Sequence, residues 1–162
     1  MKLKKGDKLP KGELFYLDEN KTVKKIDTSF LFRNQKVIMF GLPGAFTAVC
    51  SAKHLPGFIN SMDEIKKKRI KKVICVSVND PFVMAAWGKS HNVQEKIEML
   101  GDPRGEFTKS IGAELDLNAK GLGIRSARYT MLIESGAVKK VVEEEVAGKC
   151  EITSAENFLK KI

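Results

Sequence analysis

"KVIMFGLPGAFTAVCSAKHLPGF", residues 36–58, carries the reading of the whole chain. Its opening run is apolar without alternation, as in a strand buried on both faces of a sheet. Gly41, Pro43 and Gly44 then shape a loop, and the residues that follow can begin a helix running toward Leu55. Cys50 falls in or near the first turn of that helix. There, unsatisfied N–H groups and the positive end of the macrodipole favour a thiolate over a thiol. Thr47, three residues earlier, is about one helical turn away and can point its hydroxyl at the same place. The spacing also suits a plainer arrangement, a small core cysteine behind an N-capping threonine. On spacing alone the two readings stand level.

Working outward, Phe58, Met62 and Ile65 recur at helical spacing with lysines between them, so a surface helix leads to the next apolar run, "KVICVSV". That completes one βαβ unit. Upstream, "ELFYL" and "TVKKI" read as short strands around the polar turn "DEN". Downstream, "VNDPFVMAAWGKSHN" offers Asp80 as N-cap and Pro81 at the first helical position, with Val83 and Trp87 on one face. "KIEML" is a short strand and "GEFTKSIG" a short helical piece. "ARYTMLIESGAVKKVVEEEV" is a hairpin turning at Glu134 to Ala137. Thr153 and Glu156 form a capping-box pattern ahead of Ala155, Phe158, Leu159 and Ile162, a terminal helix with one apolar face. Alternating strands and helices followed by a hairpin and a helix predict an α/β fold with a mixed central sheet flanked by helices, the thioredoxin-like layout.

The chain of 162 residues is expected to form a single domain over 1–162, with no internal repeat and no low-complexity segment. Hydrophobic content of 43% and charged content of 30% describe an ordinary globular protein. No apolar run approaches the roughly 20 residues of a bilayer crossing, so no membrane partner is expected. The basic N-terminus "MKLKKGDKLPKGE" lacks a following apolar segment and does not read as a secretory signal. Three cysteines, an odd number, fit a reducing compartment, and a cytoplasmic location is expected. The formal charge of +9 invites a second reading, a basic nucleic-acid-binding or chaperone-like protein on the same scaffold. Against it, the excess is lysine in short runs, "KLKKGDK", "KKKRIKK" and "LKKI", without aromatic platforms or Cys/His fingers. A solvated surface explains such runs, and no specific nucleic-acid partner is expected.

Pro43, Thr47 and Cys50 match the P-x-x-x-T-x-x-C signature of the peroxiredoxins. The likeness extends through "LPGAFTAVCSAKHLPGF", "VICVSVNDPFVMAAW", "GDPRGEFTKSIG" and "KGLGIRSARYTMLI". Together these resemble the peroxiredoxin-five subfamily, with its plant type-two and bacterial glutaredoxin-linked members. Ala48 stands where those proteins commonly have proline, and Val49 where threonine is frequent; neither is a signature position. The resemblance implies a thiol peroxidase that reduces hydrogen peroxide and organic hydroperoxides. It makes Cys50 the peroxidatic cysteine, Thr47 the hydroxyl that orients the peroxide, Pro43 the shield against water and Arg128 the active-site arginine. A guanidinium suits that place, because it donates several hydrogen bonds and keeps its charge. Without the resemblance Arg128 would read as half of a surface ion pair, as Arg125 does. His54, four residues after Cys50, reads as a packing or surface residue rather than as the base of a Cys-His pair. His91 has no motif around it.

The resemblance further implies that Cys50 is oxidised to a sulfenic acid, which must condense with a thiol. Cys75, inside "VICVSV", reads as an inert core thiol, although it matches a cysteine of the plant type-two relatives. Cys150, in "AGKCEITS", is expected to be more accessible and falls slightly upstream of the resolving position of relatives with an intramolecular disulfide. Both are candidate resolving thiols. Otherwise glutathione or glutaredoxin would reduce the sulfenate directly, and thioredoxin would serve a disulfide form. No metal or organic cofactor is expected, since the cysteines and histidines have no zinc or haem spacing. A homodimer is expected by analogy with the family.

Overall fold

A computed structural model describes residues 1–162. In chain order the strands are β1 (Glu13–Leu17), β2 (Val23–Asp27), β3 (Lys36–Leu42), β4 (Lys72–Ser77), β5 (Glu98–Gly101), β6 (Glu114–Leu117), β7 (Gly123–Ser126), β8 (Tyr129–Glu134) and β9 (Ala137–Glu143). The helices are α1 (Thr28–Leu31), α2 (Leu55–Asn60), α3 (Met62–Lys67), α4 (Pro81–Ser90), α5 (Glu106–Ser110) and α6 (Ala155–Leu159). Seven strands form one sheet in the order β2-β1-β5-β4-β3-β8-β9, while β6 and β7 pair separately. β3 runs parallel to β4 and antiparallel to β8, so the sheet is mixed, as the pattern of elements predicts.

The unbroken apolar run of β3 has a simple cause. Ile38, Phe40 and Leu42 enter one core with Cys75, Phe58, Trp87 and Phe158, while Val37 and Met39 enter the other with Ile74, Tyr129 and Met131. Each such side chain contributes about 2 kcal/mol by leaving water, and both faces are served by one strand. At its end β3 pairs Gly41 with Tyr129, whose ring occupies the space a Cβ at residue 41 would need. Only glycine lets the strand finish there against β8.

Three local features differ from the sequence pattern. The helix after Cys50 breaks at Ser61 into α2 and α3, where the backbone leaves helical geometry at φ −98° and ψ 8°. The last helix is capped by Ser154, whose hydroxyl accepts from the Asn157 N–H at 3.3 Å, one residue later than the Thr153 pattern suggests. The β6–β7 hairpin has no clear mark in the sequence, because its strands are four residues each and the chain between them includes a 3₁₀ turn and the left-handed Gly121. By contrast the β8–β9 turn falls where expected, with Ser135 and Gly136 both at positive φ, the geometry that matches strand twist.

Candidate active site

Beyond β3, Pro43, Gly44 and Ala45 are buried, and the Ala45 N–H donates to the Asn79 side chain at 3.0 Å, tying this loop to the end of β4. Helical hydrogen bonding begins with the Ser51 N–H donating to the Thr47 carbonyl at 3.0 Å. The N–H groups of Ala48, Val49 and Cys50 therefore have no backbone acceptor, the condition that makes a helix start attractive to an anion. From Cys50 to His54 the turn is π-helical, the Leu55 N–H reaching back to the Cys50 carbonyl, before α2 continues. Such wide turns inside helices are frequent at functional sites.

The Cys50 sulfur is fully buried. Arg128, in the short link between β7 and β8, extends its guanidinium to it, with Nη2 3.3 Å from Sγ. Arg128 is itself 2% exposed and makes no ion pair; neutral acceptors surround its guanidinium. Nε and Nη2 donate to the Ala147 carbonyl at 3.2 and 2.9 Å, and Nη1 donates to His54 Nδ1 at 3.1 Å. A buried positive charge with no carboxylate bonded to it attracts whatever negative charge forms on the sulfur or on an oxygen beside it.

His54 is a packing residue, as expected, with its ring against Phe40 and Phe58, but its polar contacts have no sign in the sequence. It is neither on the surface nor bonded to the thiol: it is fully buried between Arg128 and the Thr153 carbonyl, which lies 3.2 Å from Nε2. Burial, and then the nearby Arg128 charge, pull its pKa down to about 3 against the hydrogen bond to Thr153, so the ring is neutral. With Nδ1 accepting from Arg128, the proton sits on Nε2 and is donated to Thr153. The spacing of four from Cys50 was the available signal, but the partners of the ring lie 74 and 99 residues away in the chain.

Thr47 donates its hydroxyl to the Gly44 carbonyl at 2.7 Å. Its proton is thus committed, and its oxygen is left as an acceptor. Arg125 also departs from expectation. It has no acidic partner; Nε donates to the Leu122 carbonyl at 2.7 Å and Nη1 to the Pro43 carbonyl at 3.4 Å, so it braces the loop next to Gly44. Cys75 lies in mid-β4, fully buried, its thiol pushed well above the usual range by burial and then by the neighbouring Cys50. Cys150 is half-buried between β9 and α6; burial raises its pKa against the Thr153 hydroxyl and the Arg128 charge. Two clefts, of about 550 and 830 Å³, open around Lys72 and Glu98, and neither is lined by Cys50, Thr47 or Arg128.

A lone thiol at a helix start, faced by a buried arginine on a thioredoxin-like sheet, defines a class: proteins that use a cysteine for redox chemistry. Comparison narrows it. Residues 4–159 match the family model described as Redoxin. Peroxiredoxin-2D of Arabidopsis thaliana is 44% identical over 157 residues, covering 97% of this chain and 96% of that protein. The crystal structure of reduced Prx3 from Vibrio vulnificus in complex with hydrogen peroxide superposes with a TM-score of 0.92 at 39% identity, covering 98% of each chain. Peroxiredoxin 5 from Alvinella pompejana does so with a TM-score of 0.85 at 34% identity, covering 98% of this chain and 96% of that one. The chain belongs to the peroxiredoxins, the thiol peroxidases of the redoxin family.

Proposed function

We propose that this protein reduces hydrogen peroxide and organic hydroperoxides at Cys50 and is recycled by an external thiol system, either glutathione with glutaredoxin or thioredoxin. The contact that carries the reading is the 3.3 Å approach of Arg128 to the Cys50 sulfur at the open helix start. In the reaction the thiolate's electron pair forms the S–O bond as the O–O bond breaks. The departing oxygen leaves with that bond's electrons and takes a proton to become water or an alcohol. Arg128 and the free N–H groups of residues 48–50 face the charge as it moves from sulfur to oxygen, and the Thr47 oxygen accepts from the peroxide O–H. Pro43, buried in the loop, keeps water from competing. That the Vibrio vulnificus relative was crystallised with hydrogen peroxide supports the choice of substrate.

The Cys50 sulfenic acid then condenses with a thiol, releasing water and forming a disulfide that a second thiol reduces. Cys150 is the better supported internal partner: it is half-buried and it sits in a loop. Cys75 would have to leave the middle of β4. If neither engages, an external thiol attacks the sulfenate. Three unpaired cysteines agree with a reducing, cytoplasmic setting. A homodimer is supported by the exposure of Phe46 and Phe82, both 57%, on segments joined through Asn79 beside the active-site loop.

The test is the rate at which reduced protein consumes hydrogen peroxide with dithiothreitol as electron donor. The wild type consumes it catalytically and Cys50→Ser does not; an active Cys50→Ser variant would overturn the assignment. Omitting dithiothreitol and supplying glutathione with glutaredoxin, or thioredoxin with its reductase, identifies the recycling system.

A further inference from the structure

The guanidinium of Arg128 is held from behind by a closed circuit. Glu144 follows β9 and its backbone N–H donates to the Arg128 carbonyl at 2.9 Å. One oxygen of its buried carboxylate accepts three hydrogen bonds, from the Glu151 N–H at 2.6 Å, the Thr153 N–H at 3.0 Å and the Thr153 hydroxyl at 2.9 Å. These bonds pinch residues 144–153 into a loop and fix the Thr153 carbonyl, which accepts from Thr130 at 2.7 Å and faces His54 at 3.2 Å. His54 in turn accepts from Arg128, and the pinched loop presents the Ala147 carbonyl to the same guanidinium. Every protein acceptor of Arg128 other than the Cys50 sulfur is thus set by the loop that Glu144 closes.

We propose that Glu144 is a positioning residue for the peroxidase reaction, acting through Thr153, His54 and the Ala147 carbonyl to hold Arg128 against Cys50. The assignment rests on the reading of Cys50 as the peroxidatic thiol. The titratable groups bearing on Arg128 are Cys50 from the π-helical turn, Cys75 from β4, His54, Glu144 and Cys150. Among them Glu144 is the one carboxylate, and its two conceivable effects on Cys50 have opposite signs. As a bare negative charge it would disfavour the thiolate, so deleting it would ease ionisation of Cys50. As the anchor of Arg128 it favours the thiolate, so deleting it hinders ionisation.

The experiment is peptide-resolved alkylation of Cys50 by iodoacetamide across pH, alongside the rate of peroxide consumption, in the wild type, Glu144→Ala, Glu144→Gln and Thr153→Val. The expected result is an upward move of the alkylation midpoint in Glu144→Ala, with a roughly tenfold slower reaction with peroxide, the scale of lost outer-shell support. Glu144→Gln, which keeps an acceptor oxygen in place, reverses most of that shift. Thr153→Val removes the hydroxyl's bond to Glu144, and with it a 4.0 Å contact to the Cys150 sulfur, but keeps the N–H bond; it gives a smaller shift in the same direction, which serves if Glu144→Ala does not fold. A midpoint that falls or stays put in Glu144→Ala, or in Thr153→Val if that is the variant that folds, overturns the assignment. If the wild type leaves peroxide unconsumed, the peroxidase reading itself fails, a result distinct from an active wild type with insensitive variants.

Discussion

Cys50 and Cys75 cannot be told apart by accessibility: both are fully buried and both belong to one apolar cluster. What differs is the company within hydrogen-bonding reach. Cys75 sits in mid-strand, its backbone in register with Phe40 of β3 and Met99 of β5, with no polar side chain bonded to its sulfur. Burial then does what it does to any acid, and the thiol holds its proton. Cys50 sits where β3 has ended and the helix has barely begun, with three unbonded N–H groups at its own turn and a buried guanidinium against the sulfur. Burial makes a thiol inert only while no donor is buried with it.

The largest effect that would break this comparison is loss of the guanidinium. Arg128→Met should slow the reaction of Cys50 with peroxide by roughly 100- to 1,000-fold, the scale of removing a donor aimed at developing charge. Arg128→Lys should recover little, since one ammonium cannot serve the sulfur, His54 and Ala147 together. Stopped-flow oxidation monitors both, and a loss below about tenfold would show that the arginine is not what sets Cys50 apart. Next comes Thr47→Val, which removes the oxygen that accepts from the peroxide. Peroxide reactivity should fall roughly tenfold, the value of one hydrogen bond, with alkylation by iodoacetamide unchanged and Thr47→Ser largely active.

A smaller effect concerns acid stability. His54 is neutral when folded, at about 3, and takes a proton near 6.5 when unfolded, so the unfolded chain binds the extra proton between those values. Stability therefore falls as pH drops from about 6.5 toward about 3, and the loss from this residue levels off below that. Glu144 acts in the same sense. Burial alone would raise its pKa, but the bonds from Thr153 and Glu151 and the Arg128 charge outweigh that, so it ionises below its usual 4.5 and its contribution is lost at the acid end. In urea titrations across this range His54→Asn should show a shallower slope than wild type; an equal slope would mean that His54 is not the buried proton acceptor. The smallest effect sharpens the contrast from the other side. Cys75→Ala should leave the rate of Cys50 oxidation unchanged and cost on the order of 1 kcal/mol of stability in the same titrations.

Much of this was legible in the sequence, for reasons that particular residues make plain. The double-sided run of β3, the Asp80 cap that accepts from the Val83 N–H at 2.9 Å, and the β8–β9 turn are local signals written in adjacent residues. Pro43, Thr47, Cys50 and Arg128 stood out through a spaced motif and a resemblance, and the fold brings Arg128 to Cys50 across 78 residues. What escaped was made of long-range pairings. Thr153 looks like a helix cap because a Ser/Thr with Glu three residues on has that meaning locally, yet the cap passes to Ser154 and Thr153 turns inward to Glu144. His54 and Arg125 read as ordinary because the carbonyls they serve, at Thr153 and Pro43, belong to distant segments. A carbonyl has no sequence signature, since every residue has one.

The central claim, that the company of donors rather than exposure selects the reactive thiol, is tested most directly by one equivalent of hydrogen peroxide added to the reduced protein with dimedone present, followed by peptide mapping. The account predicts that oxidation is confined to Cys50, as a dimedone adduct or as a disulfide from Cys50 to another thiol. An adduct on Cys75 or Cys150 with Cys50 still reduced would contradict it.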